Sequence, residues 1–366
     1  MALSIVNCQL SINKHNRLNN KYPVSLGYRF PAEWEQHDAM WLSWPHKEES
    51  WPGKIETIYA PYCQFIKEVS KGEKVCINVA NEQMKAFAVS ELEKIGADLS
   101  KIQFYFHTTN DAWCRDHGPA FLINSKAEHP KVIVDWGFNA WGGKYPPFEK
   151  DDVIPTLIGK ELGIPVFHPG IIMEGGSVDF NGAGTLLTSK SCLLNKNRNP
   201  QLLQSEIETY LHNYYCVDQI LWVDDGIIGD DTDGHIDDTV RFVNADTVVT
   251  VIEEDKNDEN YDILQHNLSQ LKQMRLTNDK QLNIIELPMP SPVIYEDQRL
   301  PASYANFYIG NAAVIVPTYR CDNDDKALQI IEQAFPDRKV VGIDSTDIIW
   351  GLGSFHCLSQ QEPTVK

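Results

Sequence analysis

The 366-residue chain has no run of 18 consecutive apolar residues, so no transmembrane helix is expected. Met1–Leu10 lacks a basic region followed by a long apolar core, so it does not read as a secretory signal. Positive charge is scarce: 32 Lys+Arg stand against 51 Asp+Glu, a net −19. A chain this acidic repels phosphate backbones, which argues against nucleic-acid and anionic-membrane partners. It leaves a small cationic substrate easy to accommodate. The eight cysteines (Cys8, Cys63, Cys76, Cys114, Cys192, Cys216, Cys321 and Cys357) form no C-x-x-C pair and no dense framework. They are expected to be reduced thiols of a cytoplasmic protein, most of them small buried hydrophobes.

Residues 1–26 read as a polar, poorly ordered arm. After that there is no Pro/Gly/Ser-rich linker and no low-complexity tract, so 27–366 reads as one domain. Hydrophobic residues at 42% allow a large core. Within the domain an order of elements recurs. A hairpin over Gly175–Ser189, turning at Asn181–Gly184, precedes a helix opening near Asn199-Pro200 and a strand Gln219–Val223. The order returns as Thr239–Val243, Thr247–Ile252, helix Tyr261–Met274 and strand Leu282–Leu287. It returns again as Phe307–Ile309, Ala313–Val316, helix Asp324–Phe335 and strand Lys339–Ile343. An earlier copy is Pro119–Ile123, Val132–Trp136, helix Asp151–Leu162 and Pro165–His168. A fifth draws on both ends of the chain: Phe355–Ser359, Ala39–Trp44, helix Lys54–Val69 and Lys74–Val79. Five strand–strand–helix–strand units closed by both termini point to a closed ring of α/β modules, since radial repetition protects sheet edges. An ordinary α+β domain with many hairpins is the alternative.

The polar anomalies fall at the starts of these units: Asp116, Glu174, His235 and Cys357. Cys357 follows the glycines of Gly351-Leu-Gly-Ser-Phe-His-Cys, where an activated thiol can be presented. A buried structural thiol is the plain alternative. In a strand, His235 and Asp237 of Gly234-His-Ile-Asp-Asp would share a face, one as acid/base and one as cation holder. The same pair could supply two ligands of a metal triad, and Cys114-x-x-His117 is another ligand-type pair. Thr109–Asp116 holds two carboxylates, the Trp113 indole and Arg115, a composition suited to gripping a guanidinium. Arg115 pairing with Asp111 is the structural alternative. Glu174-Gly-Gly-Ser is weak alone. The seven aspartates of Asp224–Asp238 do not fit a calcium loop and read as a solvated loop, with a cation-site rim the further option.

In combination, several motifs resemble the agmatine deiminases, in the family that includes the Porphyromonas-type peptidylarginine deiminase. They are Gly27-Tyr-Arg-Phe-Pro-Ala-Glu-Trp-Glu, Trp41-Leu-Ser-Trp-Pro, Asn110-Asp-Ala-Trp-Cys-Arg-Asp, Trp136-Gly-Phe-Asn-Ala-Trp-Gly-Gly, Glu174-Gly-Gly-Ser, Gly234-His-Ile-Asp-Asp, Ala302-Ser-Tyr-Ala-Asn-Phe and His356-Cys-Leu-Ser-Gln-Gln-Glu-Pro. The resemblance implies the pentein fold, a five-bladed α/β propeller. It implies hydrolysis of agmatine to N-carbamoylputrescine and ammonia, in putrescine and polyamine biosynthesis. Cys357 would be the nucleophile of a covalent thiouronium intermediate and His235 the acid and base. Asp116 and Asp237 would hold the guanidinium, with Glu174 and Trp113 in the substrate pocket. No metal or organic cofactor is implied, and a homo-oligomer is expected. Deimination of free or peptidyl arginine, guanidine binding without turnover, and metal-dependent hydrolysis or oxygenation by His235 and Asp237 remain as rivals. One departure stands out: the family's nucleophile loop commonly has three consecutive glycines, where this chain has Gly351-Leu352-Gly353-Ser354. If the middle position needs φ > 0, Leu352 is strained there.

Overall fold

The computed structural model describes residues 21–366. Of the expected arm, residues 1–20 lie outside the described residues. Pro23–Leu26 form a short helical turn ended by Gly27 in the left-handed region. This turn is tied to the domain: Asn124 Nδ2 donates to the Leu26 carbonyl at 2.9 Å.

Five sheets repeat one topology. In each, an antiparallel pair is extended by a parallel third strand that follows a helix. The sheets are Ala120–Ile123, Lys131–Val134 and Val166–Phe167; Val178–Phe180, Thr185–Ser189 and Gln219–Val223; Val240–Asn244, Thr247–Ile252 and Asn283–Pro288; and Tyr308–Ile309, Ala313–Thr318 and Lys339–Asp344. The fifth joins the chain ends: Ser359–Pro363 pairs antiparallel with His37–Ser43, which pairs parallel with Lys74–Asn78. Ile102–Tyr105 adds a fourth strand there, after a helix Glu82–Lys94 that the repeat pattern does not contain.

Each helix covers its sheet with an apolar stripe. Ile58, Tyr62, Phe65, Ile66 and Val69 of Ile55–Val69 are all buried, as a 3.6-residue repeat requires. The 199–215 helix begins at Gln204 rather than near Asn199-Pro200. Glu206 caps it by accepting from the Leu203 amide at 2.8 Å. Among the described residues no helix is long and apolar enough to cross a membrane.

Two departures from the sequence reading matter for function. The last strand starts at Ser359, so Phe355–Leu358 is a turn and Cys357 sits before the sheet, not in it. Likewise Ile236–Asp238 is a turn of 3-10 helix, so His235 and Asp237 are not strand neighbours. The same holds around the molecule. A turn precedes the first strand of all five sheets: Cys114–His117, Gly175–Ser177, Ile236–Asp238, Tyr304–Ala305 and Phe355–Leu358. Turns, unlike strands, can aim polar side chains off the sheet end.

Candidate active site

These turns bring the predicted residues together. Asp116 Oδ1 lies 3.6 Å from His235 Nδ1, and Cys357 Sγ lies 3.6 Å from Asp237 Oδ2. Gly176 explains part of the Glu-Gly-Gly motif. A Cβ there would sit 2.6 Å from His235 Nδ1, 2.8 Å from Asp116 Oδ1 and 3.1 Å from Asp237 Oδ2. Only a residue without a side chain lets those three groups meet.

Asp116 is held by two neutral donors: the Trp141 indole Nε1 to Oδ2 (2.9 Å) and the Gly176 amide to Oδ1 (3.0 Å). Burial pushes its carboxyl up to about 6, against the pull of His235, and the Asp237 charge adds to the rise. Asp237 is backed differently. His356 Nδ1 donates to its Oδ2 at 2.6 Å, and His356 Nε2 donates to Glu33 Oε2 at 2.9 Å. Glu33 in turn takes Arg241 Nη2 at 2.6 Å and the Ile309 amide at 2.7 Å, and Arg241 Nε reaches Asp179 at 3.2 Å. Burial alone would raise Asp237, but His356, His235 and Arg241 outweigh it and hold its carboxyl below the usual range.

His235 is fully buried, and neither ring nitrogen has a hydrogen-bond partner. Burial would lower its pKa; the Asp116 carboxylate, and Asp237 after it, hold it well above the usual imidazole range. Cys357 is also buried, and burial followed by the Asp237, Asp238 and Asp116 charges pushes its thiol well up. Asn306 binds the Cys357 turn on three sides. Its Nδ2 donates to Cys357 Sγ at 2.9 Å, and its Oδ1 accepts from the amides of His356 (3.1 Å) and Cys357 (3.2 Å).

Glu174 is fully buried and pairs through Oε1 with Arg198 Nε at 2.9 Å, leaving Oε2 unpartnered. Trp113 lies under the Gly351–Ser354 loop. A Cβ at Gly351 would strike the Trp51 and Trp113 rings at 2.6 and 2.7 Å. One at Gly353 would lie 2.6 Å from Trp113 and 3.0 Å from Cys357 Cβ. Those glycines are required by close approach to the indoles. Leu352, between them, does take the left-handed conformation, at φ 69° and ψ 19°.

Other expectations are corrected. Arg115 does not pair with Asp111. It donates to the His356 carbonyl and to Gln361 Oε1 (2.7 Å), while Asp111 takes Lys47 and Ser50. The Asp224–Asp238 run is not a solvated loop. Asp230 caps its own turn through the amides of Thr232, Gly234 and His235, and Asp233 pairs with Arg198 and Lys144. These acids place His235. Two sets of three close metal-type donors occur among the described residues: Glu174, Cys192 and His235, and Asp237, Asp238 and Cys357. Cys114 and His117 are in neither.

Glu33, Asn306, Trp141 and His356 are the site residues to which sequence reasoning gave no role. Each lies in one of the motifs quoted above. Asn306 had a further signal: it is the contribution of the one unit for which no polar anomaly was named.

A family model for Porphyromonas-type peptidyl-arginine deiminases matches residues 29–363. The agmatine deiminase of Ectopseudomonas mendocina is 33% identical over 364 residues, covering 93% of this chain and 97% of that protein. The solved agmatine deiminase of Enterococcus faecalis superposes with a TM-score of 0.89 at 32% identity, over 96% of this chain and all of that one. A cysteine-to-serine variant of the C. jejuni agmatine deiminase, solved with substrate bound, superposes at 0.83 with 35% identity, over 92% of this chain and 97% of that one. The mixed α/β fold is therefore that of the agmatine deiminases. The chain belongs to the Porphyromonas-type peptidyl-arginine deiminase family.

Proposed function

We propose that the protein is an agmatine deiminase, hydrolysing a C–N bond of agmatine to give N-carbamoylputrescine and ammonia. The observation that carries this reading is a set of buried, unpartnered polar atoms: Asp237 Oδ1, Glu174 Oε2 and both His235 nitrogens, in a site that also holds a thiol. Buried acceptors left without partners are costly. The N–H donors and positive charge of a guanidinium satisfy the carboxylates among them. Asp237 and Asp116 hold its nitrogens and fix its plane, while Glu174 and Trp113 belong to the substrate pocket.

The substrate's charge also readies the nucleophile. Nearby carboxylates keep the Cys357 thiol protonated; a guanidinium docked among them offsets that field and favours the thiolate, its proton passing to solvent. Sγ bonds to the guanidinium carbon. His235, already protonated, gives its proton to the departing nitrogen, and ammonia leaves a thiouronium on Cys357. The neutral imidazole then takes a proton from water, whose oxygen adds to the same carbon. The C–S bond breaks, the added hydroxyl gives up its proton to solvent, and the neutral ureido product departs with the thiolate restored. No metal or cofactor enters this cycle: the thiolate is the nucleophile and the substrate carries its own charge.

We extend the proposal to the architecture and setting. Residues 27–366 form a single catalytic domain, the five repeated sheets its five blades in a pentein propeller. The enzyme is a cytoplasmic homo-oligomer of putrescine biosynthesis. A panel of agmatine, arginine and a blocked arginine peptide, scored by ureido product, tests the substrate. Agmatine should lead; faster turnover of either arginine compound would replace it. Activity should survive a strong chelator and vanish in Cys357→Ala, and full activity in that variant would sink the mechanism.

A further inference from the structure

Cys192 is fully buried, has no part in the proposed reaction, and lies beside His235. It sits in the helical turn Lys190–Leu193, which Ser189 caps at the Cys192 amide. One donor atom each from Cys192, His235 and Glu174 lie within 4.8 Å of one another. The atoms on offer are uncommitted: Glu174 keeps Oε1 on Arg198 but leaves Oε2 free, and both His235 nitrogens are unpartnered. Imidazole nitrogen, thiolate sulfur and carboxylate oxygen form a zinc-type donor set. Bond lengths of about 2.0–2.3 Å place tetrahedral ligands about 3.5 Å apart, so closing the set needs shifts of about 1 Å. Asp116, whose Oδ1 lies 3.6 Å from His235, adds negative charge that favours a dication.

We infer that Glu174, Cys192 and His235 form an inhibitory site for zinc-like divalent cations. The Cys192 thiol proton and the proton on the coordinating ring nitrogen pass to solvent as the metal binds. The fourth position is left for water. A metal there leaves a neutral, metal-bound imidazole in place of the imidazolium acid that protonates the leaving ammonia. That consequence rests on the role of His235 proposed above; the binding itself does not.

The binding arm therefore uses no turnover. Full-length Cys357→Ala protein is titrated with cadmium, and its thiolate-to-metal absorption in the ultraviolet is followed. A band should appear and be lost in Cys357→Ala/Cys192→Ala, with Cys192→Ser in its place should the alanine variant fail to fold cooperatively. The same band in both proteins, or none in the first, overturns the site. The inhibition arm compares zinc inhibition of agmatine turnover in the parent and in Cys192→Ala, each relative to its own zinc-free rate. The inhibition constant should rise at least about tenfold in Cys192→Ala. Equal inhibition would move the metal to Asp237, Asp238 and Cys357 and overturn the inference. Absence of turnover in the parent would count against the agmatine reading and leave the cadmium result standing.

Discussion

Asp116 and Asp237 are the same residue type, both buried, and both raise the pKa of His235, yet their own carboxyls shift in opposite directions. The difference lies behind them. Asp116 rests on an indole and a backbone amide, both neutral. Asp237 rests on His356, which leads through Glu33 to Arg241 and Asp179. Burial raises both and His235 pulls on both; the His356 hydrogen bond and the Arg241 charge behind Asp237 reverse the rise there. One side of the site is thus anionic before substrate arrives. The other has its carboxyl near 6, and on the proposed mechanism a docking guanidinium would make it fully anionic.

The largest effects should come from removing either charge. Asp237→Asn and Asp116→Asn should each lower kcat/KM by about 10^3-fold or more, since truncating a buried charged contact costs about 4 kcal/mol. An Asp116→Asn enzyme that keeps a tenth of its activity would break the two-sided arrangement.

The same two substitutions should separate in stability. Asp116 has its folded pKa raised from 3.8 to about 6. Its favourable contribution is complete below the unfolded value and is lost as pH rises through about 6. At pH 8 the charged form is a burden of about 3 kcal/mol, so Asp116→Asn should be the more stable protein there, with the gain fading toward pH 4. Asp237 has its folded pKa lowered, so its contribution is present above the unfolded value and is lost as pH falls. Asp237→Asn deprives His356 of an anion and should destabilise by about 3 kcal/mol at pH 8. Urea unfolding at both pH values checks the pair; two shifts of one sign would remove the contrast.

A smaller change sharpens the Asp116 side. Trp141→Phe deletes the indole donor and should raise the Asp116 pKa further. The acid limb of kcat/KM should move up by about one pH unit, for a bond to a charged group is worth about 1.5–3 kcal/mol. An unmoved limb would mean that Asp116 does not need its charge.

Most of the repeat was legible because two periodicities carry it: alternating hairpins and 3.6-residue stripes. The strand Gln219–Val223 and the start of helix Tyr261 coincide with their expected positions. The misplacements sit where polar residues outcompete propensity. Phe355–Leu358 has strand-like residues, but Asn306 accepts from two of its amides and holds it as a turn. The candidate residues were readable one by one as chemistry-bearing types. Their support was not, because Glu33, His356 and Arg241 meet across more than 200 positions of sequence. A lone Glu in a motif does not say what it pairs with. The aspartate run misled for the same reason: its partners, Arg198 and Lys144, come from other units.

The smallest effect should be at Leu352, which stands outside both carboxylate supports. Its left-handed φ of 69° costs a branched residue about 1–2 kcal/mol relative to glycine. The flanking positions could not pay such a cost, since a Cβ at either would drive into Trp113. At 352 the side chain instead packs against the cluster around Ile349, half-buried. That burial offsets part of the strain. Leu352→Gly should therefore change unfolding free energy by less than about 1 kcal/mol, because backbone relief and lost packing oppose each other. Turnover of agmatine should change by less than about threefold, since Asn306, not the loop's middle residue, fixes the Cys357 turn. A large rise in kcat for Leu352→Gly would show instead that the leucine mis-sets the nucleophile, and that a guanidine is held better than it is hydrolysed.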